Sequence, residues 1–385
     1  MKEKKVHVLV GYVVDGKSSG IDKYLLRVLD MMKEEAIQFD FLTNHKTSEL
    51  EKVFGNYPAS VIEMPSLKHP IKQYCFLHQL MKRKRYAAAY FNISEAFNGI
   101  GVLAAHSAGI KKIIVHSHSS RVDSNNRIVR LIRTGMHRTF RPIIAWAATD
   151  YCACSNYAGE WMFPERVRKS KQYQIIHNPI NVSLFNYNEE IRRQMRDQLA
   201  LQDKVVIGHV GSYCYAKNNF FLLDIMEELL KKVPNAVLLA VGSGKDWEAV
   251  KRQAAQRGIL SGIRFVGVRE DVPNLMQAMD FFVLPSRFEG QPIAALEAQA
   301  AGLMTFLSDT ITPEVVLSEN CMQLSIKEGG TIWADAICVH LNYSRNVNSA
   351  ELFRESSYDE SVQARQIKQL FITKKCERKD SAENL

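Results

Sequence analysis

Ser286-Arg287-Phe288-Glu289-Gly290-Gln291-Pro292-Ile293-Ala294-Ala295-Leu296-Glu297 follows directly on the strand-sized run Asp280 to Leu284 and on Pro285. An apolar run, a polar turn holding one glycine and then a small-residue helix form the repeating unit of a parallel sheet with helices on its faces. Pro292 suits the first helical position, where an amide proton would have no partner anyway. The helix then runs from Pro292 to Ala301, and Gly302 stands where its C-terminus favours a left-handed residue. Glu289 falls in the loop and Glu297 in the second turn, about 7.5 Å along the axis from Pro292 at 1.5 Å per residue.

Ala294, Ala295, Ala298, Ala300 and Ala301 make this helix small and apolar nearly all round, the pattern of a buried helix, so a carboxylate on it needs a partner. The amides of Gly290, Gln291 and Ile293 are donors at a helix N-terminus, suited to a phosphate or to sugar hydroxyls. Two carboxylates bracketing such a turn fit a sugar nucleotide, because each accepts two hydrogen bonds from a vicinal diol. The plainer alternative is an acidic helix start favoured by the dipole, with Glu297 on a solvated face.

The same rhythm repeats outward in both directions. Towards the N-terminus, strands are expected at Lys5 to Val10, Phe39 to Leu42, Val61 to Met64, Ala88 to Ile93, Lys112 to His116, Tyr151 to Ser155 and Gln174 to His177. Helices are expected at Ile21 to Ala36 and at Asn156 to Met162, the latter with an asparagine cap. After Asn178-Pro179 and a polar stretch the pattern restarts at Lys204, with strands at Val205 to Val210, Ala236 to Gly242, Ile263 to Gly267 and Asp280 to Leu284. Past Thr331 the pattern is helical and polar.

At 385 residues the chain exceeds one ordinary core, since single cores seldom grow beyond ~250 to 300 residues. The expected architecture is α/β: a doubly wound domain over residues 1–178, a second over 179–350, a helix in 351–373 returning to the first domain, and a charged tail at 374–385. Two such domains face each other across a cleft at the carboxyl ends of their strands, where these folds bind ligands.

Composition narrows the class. The chain is 46% hydrophobic and 24% charged, with no run near the ~20 apolar residues that cross a bilayer, so it reads as a soluble protein of the cytoplasm. Seven cysteines, with Cys152 and Cys154 as the close pair and neither a second pair nor neighbouring histidines, fit reduced thiols and no structural zinc. Charge is lopsided: 27 basic against 15 acidic side chains in residues 1–178, and 23 against 26 in 179–385. The basic first half, clustered at Lys82 to Arg85, Arg121 to Arg141 and Arg166 to Lys171, suits a polyanionic surface such as anionic lipid headgroups. No nucleic-acid motif accompanies these clusters.

Three further constellations sit after expected strands. Gly211-Ser212-Tyr213-Cys214-Tyr215-Ala216-Lys217-Asn218-Asn219 leads into a helix and puts Lys217 where it would neutralise a diphosphate. Ser18-Ser19-Gly20 is a small-residue turn that permits close backbone approach. In Val115-His116-Ser117-His118-Ser119-Ser120 the two histidines point to one face by strand alternation; a metal pair would lack its third ligand, whereas one imidazole could meet a sugar hydroxyl. Each also has a bland reading, as a solvated lysine, a turn glycine or a satisfied core histidine. The chain carries no Asp-x-Asp, no Walker-type phosphate loop, no G-x-G-x-x-G after the first strand and no G-x-S-x-G.

These residues resemble the retaining glycosyltransferases of family 4, of GT-B architecture. Glu289 to Glu297 is similar to their E-x(7)-E motif. The resemblance extends to Asp271 to Asp309, Gly211 to Asn218, Ile176 to Ile180, Cys154 to Phe163 and Tyr358-Asp359, and its flavour is that of bacterial capsular and exported polysaccharide synthesis. It implies that Glu289 contacts the transferred sugar, Glu297 the ribose, Lys217 the diphosphate, Val268 the base through its backbone, and His118 the sugar near the reacting carbon. It implies further that Gly20, Ser212, Gly290, Gln291 and Ile293 contact the donor. Ser212 stands where the family usually has arginine, and nearby Arg287 is the candidate replacement.

The function so implied is transfer of a hexose or N-acetylhexosamine, with retention, from a UDP-sugar to a hydroxyl of a lipid-linked saccharide. No cofactor and no metal are required, and the basic first domain rests on the inner face of the plasma membrane. A sugar-nucleotide epimerase of the same fold and a non-enzymatic nucleic-acid-binding protein are the rivals.

Overall fold

The computed structural model describes residues 5–13, 20–354 and 356–372. Ser18, Ser19 and the tail 374–385 lie outside the described residues. Seven strands form the first sheet: β1 (Val6–Val13), β2 (Ile37–Thr43), β3 (Ala59–Glu63), β4 (Ala88–Ile93), β5 (Ile113–Ser117), β6 (Asp150–Ala153) and β7 (Tyr173–Ile175). Six form the second: β8 (Val205–Val210), β9 (Ala236–Val241), β10 (Ile263–Gly267), β11 (Phe281–Leu284), β12 (Met304–Ser308) and β13 (Cys321–Leu324). Central strands such as β4 and β9 are buried at every position, which is why they read as unbroken apolar runs: helices cover both faces.

Strand order is β3-β2-β1-β4-β5-β6-β7 in one sheet and β10-β9-β8-β11-β12-β13 in the other, with the pairs parallel throughout. Each order reverses once, between β1 and β4 and between β8 and β11, and the crevice outside a reversal is where a doubly wound sheet takes its ligand. Two Rossmann-like domains in one α/β chain, each with a switch point, constitute the expected GT-B arrangement.

The chain crosses between domains twice, and the crossings are stitched together. The amide of Ile180 donates to the carbonyl of Tyr358 at 2.9 Å, in an isolated parallel bridge between Ile180 and Asp359. Beyond it, helix Glu360–Phe371 returns to the first domain, where Ile367, Leu370 and Phe371 are buried with Tyr24, Phe39 and Tyr90. The Phe371 ring meets Phe39 and Tyr90 edge-on at 5.6 and 5.4 Å. No helix among the described residues is long and apolar enough to cross a membrane.

β12 and β13 are not among the expected strands, β1 runs on to Val13, and three helices differ from expectation in their ends or caps. The first helix is Gly20–Met31 and not Ile21 to Ala36, because a turn over Met32 to Ala36 is needed to bring the chain into β2. Helix Asn156–Met162 is capped by Ser155, whose Oγ accepts from the Ala158 amide at 3.2 Å; Asn156 is its first residue and reaches Glu314 in the other domain at 2.6 Å. The helix after β11 is Ile293–Ala300, with Pro292 one position earlier than expected as its cap, at φ −80° and ψ 85°.

Candidate active site in the cleft between the domains

A cleft of about 440 Å³ lies between the two switch points. Its walls contain all ten residues that the sequence nominates: Gly20, His118, Ser212, Lys217, Val268, Glu289, Gly290, Gln291, Ile293 and Glu297. They arrive from four strand-to-helix turns and one strand end, in both domains.

The lysine and the first carboxylate are in contact. Lys217 Nζ lies 2.7 Å from Glu289 Oε1, and Ser286 Oγ donates to the same oxygen at 2.6 Å. Among the described residues Glu289 Oε2 accepts no hydrogen bond. The loop carrying Lys217 is fixed at its helix end by two asparagines. Asn218 adopts the left-handed conformation at φ 55°, which asparagine tolerates better than most residues, and its Nδ2 donates to Pro285 O at 3.1 Å. Asn219 Oδ1 accepts from the Cys214 amide at 3.0 Å. Gly242, at φ +126°, packs its α-carbon so closely on the Gly211 carbonyl that any Cβ would overlap it, so the β8 and β9 turns share one tight wall.

The second carboxylate is bound across the gap. Glu297 Oε1 lies 3.2 Å from Arg27 Nη2, and Arg27 also donates to the carbonyl of Pro179 at the domain junction. Burial pushes the Glu297 carboxyl above its ordinary range, while Arg27 and Lys23 pull it back down. A buried-helix carboxylate was expected to need a partner; the partner comes from helix Gly20–Met31 of the other domain. Gly20, Lys23 and Arg27, spaced i, i+3 and i+7, line the cleft from one helical face. That spacing was the available signal for Lys23 and Arg27, which the sequence reading passed over.

His118 follows β5 and is held by Asn92 from β4, Nε2 to Oδ1 at 2.8 Å. Its ring stacks obliquely on His116 at 4.1 Å and on Tyr24 at 5.0 Å, so both histidines do face the same way. Burial lowers the His118 pKa to about 3, which keeps the imidazole neutral at physiological pH. Since Nε2–H donates to Asn92, Nδ1 carries a lone pair, and that buried atom has no partner. His116 is consumed by structure: its ring nitrogens meet Tyr90 Oη at 2.5 Å and Ile176 O at 3.1 Å.

Gly290 is one of the places where the domains touch. A Cβ there would overlap the carbonyl of His118, Ser155 Oγ donates to the Gly290 carbonyl at 2.5 Å, and Ser120 Oγ donates to the Glu289 carbonyl at 2.6 Å. Three nominated or adjacent groups make contacts that the sequence does not announce. Gln291 exchanges two 2.8 Å hydrogen bonds with the Asn178 backbone, making its side chain an interdomain clasp. The Ile293 amide donates to Gln291 O at 3.1 Å, so it is not an open donor, because Pro292 sits at the cap and tightens the turn. Arg287 lies over the Tyr215 ring at 4.9 Å and lines a separate cavity, so it does not replace the missing arginine at Ser212. Val268, 61% exposed, follows left-handed Gly267 at the cleft rim, and Ser212 is exposed beside Lys217. Arg269 also lines the cleft, with its guanidinium on Asp271 at 2.6 Å.

The fold and this cleft define a GT-B protein. The crystal structure of Anabaena HepE in complex with UDP-glucose superimposes with a TM-score of 0.75 at 16% identity, covering 94% of this chain and 98% of that one. Residues 204–342 match the family described as glycosyl transferases group 1. Over 346 residues it is 27% identical to the putative glycosyltransferase EpsF of Bacillus subtilis, covering 87% of each chain. It is 23% identical over 306 residues, 76% of each chain, to the Escherichia coli UDP-Gal:alpha-D-GlcNAc-diphosphoundecaprenol alpha-1,3-galactosyltransferase.

Proposed function

We propose that the protein is a retaining glycosyltransferase of family 4 that moves a hexose or N-acetylhexosamine from a UDP-sugar to a hydroxyl of a lipid-linked saccharide, in polysaccharide synthesis at a membrane surface. The observation that carries this reading is the Lys217–Glu289 contact at 2.7 Å inside a cleft where a further carboxylate, Glu297, lies on the same turn-and-helix unit. Support for the donor and acceptor classes comes from relatives: one is named for UDP-Gal and a diphosphoundecaprenol acceptor, and HepE is solved with UDP-glucose.

In this mechanism the bond from the anomeric carbon to the diphosphate oxygen breaks, with its electron pair leaving on the diphosphate. The Lys217 ammonium meets the charge that develops there. Glu289 Oε2 accepts hydroxyls of the transferred sugar and Glu297 those of the ribose, while neutral His118 lies beside the sugar near the reacting carbon. The acceptor oxygen bonds to the anomeric carbon on the face the diphosphate leaves, and its proton passes to the departing phosphate oxygen, so configuration is retained. No side chain acts as nucleophile, and the role of a divalent cation is filled by Lys217.

Donors are screened by thermal unfolding, since a ligand that binds only the folded state raises the midpoint. A shift with one UDP-sugar and none with its epimers names the donor. Release of UDP that requires acceptor, persists in chelator and gives a product with the donor's anomeric configuration is the expected result; release without acceptor, or loss in chelator, refutes the mechanism.

A further inference from the structure

Beside the donor cleft lies a second cavity of about 670 Å³, between helix Arg127–Ala147 of the first domain and the loops that carry Lys217 and Glu289. Arg121, Arg127, Arg130, Arg138 and Arg287 line it together with Tyr215, and its walls include no aspartate or glutamate. Among the described residues none of these five arginines has an ion pair. Arg133, elsewhere on the same helix, is by contrast neutralised by Glu95 at 2.5 Å. Arg130 and Arg287 lie over the Tyr215 ring at 4.2 and 4.9 Å, and Arg287 Nε is buried without a hydrogen-bond partner. Guanidinium groups gathered around one ring repel each other unless an anion lies between them, and their planar forks suit phosphate oxygens.

Two further features say which anion. Ile128, Leu131 and Ile132, in the first turns of the same helix, are 69%, 66% and 59% exposed, and Leu131 also lines the cavity. A basic helix with an apolar stripe beside its arginines is suited to the headgroup boundary of a membrane. The cavity also adjoins the reacting site: Phe288 belongs to the walls of both, Tyr215 is two residues from Lys217, and Arg287 is two residues from Glu289.

We propose that this cavity binds the diphosphate of the lipid-linked acceptor, with the lipid chain along Ile128, Leu131 and Ile132 and the attached saccharide reaching past Phe288 to the donor. The proposal rests on the glycosyltransferase reading above and adds the acceptor's anchoring group.

The test measures binding of the full-length protein to phosphatidylcholine vesicles doped either with undecaprenyl diphosphate or with phosphatidylglycerol at equal surface charge. Wild-type protein is expected to prefer the diphosphate vesicles, with saturating UDP leaving that preference intact because the two sites are separate. The pair R127Q and R138Q, both exposed and free of structural partners, is expected to weaken diphosphate binding about tenfold. The pair K82Q and R83Q, which removes the same charge from another basic cluster, is expected to leave it unchanged. No preference over phosphatidylglycerol, displacement by UDP, or equal loss in both pairs overturns the assignment. A thermal shift with UDP-sugars in all four proteins checks the donor site separately, so a failed acceptor site is distinguishable from a failed glycosyltransferase reading.

Discussion

Arg27, on the first helix of one domain, lies 3.2 Å from Glu297, on the helix that follows β11 in the other, and the pair lines the cleft. The contact ties the two domains together through a carboxyl whose pKa burial raises and Arg27 opposes.

Replacing Arg27 by methionine removes the main opposing charge and leaves burial in control of Glu297. A carboxyl whose folded pKa is raised binds more protons folded than unfolded, so it lowers stability as pH rises through the folded pKa. R27M is therefore expected to lose roughly 1–3 kcal/mol near neutral pH and to recover part of it on acidification towards 4.5. Denaturant titrations at several pH values measure this; a deficit that does not shrink at low pH counts against the coupling.

Lys217→Ala is expected to lower turnover by about 10²- to 10³-fold, the usual cost of one group aimed at developing negative charge, with a stable fold because the lysine is at a cleft wall. Lys217→Arg should restore part of the rate. Glu289→Gln keeps the size of the side chain but loses the ion pair, and it too should fold while failing in transfer. Nucleotide release kinetics with each variant give the answer, and near-wild-type turnover in Lys217→Ala would remove the lysine from the mechanism.

Gly290→Ala places a methyl group against the His118 carbonyl of the opposite domain. The domains must separate slightly or the loop must shift, at a cost of about 1–3 kcal/mol for an overpacked contact. Donor binding should weaken with it, since Glu289 is the neighbouring residue. Unfolding curves and donor titrations on the same sample separate the two effects.

Acid should destabilise the protein through its buried histidines. Burial lowers His118 to about 3 and both His137 and His209 to about 4. His209 is locked in its neutral form, with Nδ1 donating to Val283 O at 3.0 Å and Nε2 accepting from Asn219 Nδ2 at 3.2 Å. Because the unfolded chain takes up protons first, the stability these groups contribute is full above about pH 6.5 and is lost as pH falls towards 4. A thermal midpoint that stays level from pH 7 to 4.5 would contradict this.

Much of the molecule is legible along the chain. Ala88 to Ile93 and Val205 to Val210 read as strands because a sheet covered on both faces demands unbroken apolar runs. The turns after those strands announce themselves as polar, glycine-bearing segments that lead into helices. Lys217, Glu289 and Glu297 are found the same way: each occupies a strand-to-helix turn or the helix after it, and doubly wound sheets direct such positions towards one crevice. Arg287 lies in the same stretch and turns to a separate cavity, because a short loop can aim adjacent side chains at different walls.

The sequence alone therefore determined the two-domain parallel architecture and placed Lys217, Glu289 and Glu297 at the cleft, since periodicity and turn chemistry are local and each unit carries its own. Tertiary structure alone decided the partners: Arg27 for Glu297, Asn92 for His118, Asn178 for Gln291, and Arg130 and Arg287 over the Tyr215 ring. Those pairings join residues separated by up to 270 positions, and they exist only because two independently wound sheets dock at one particular angle and distance.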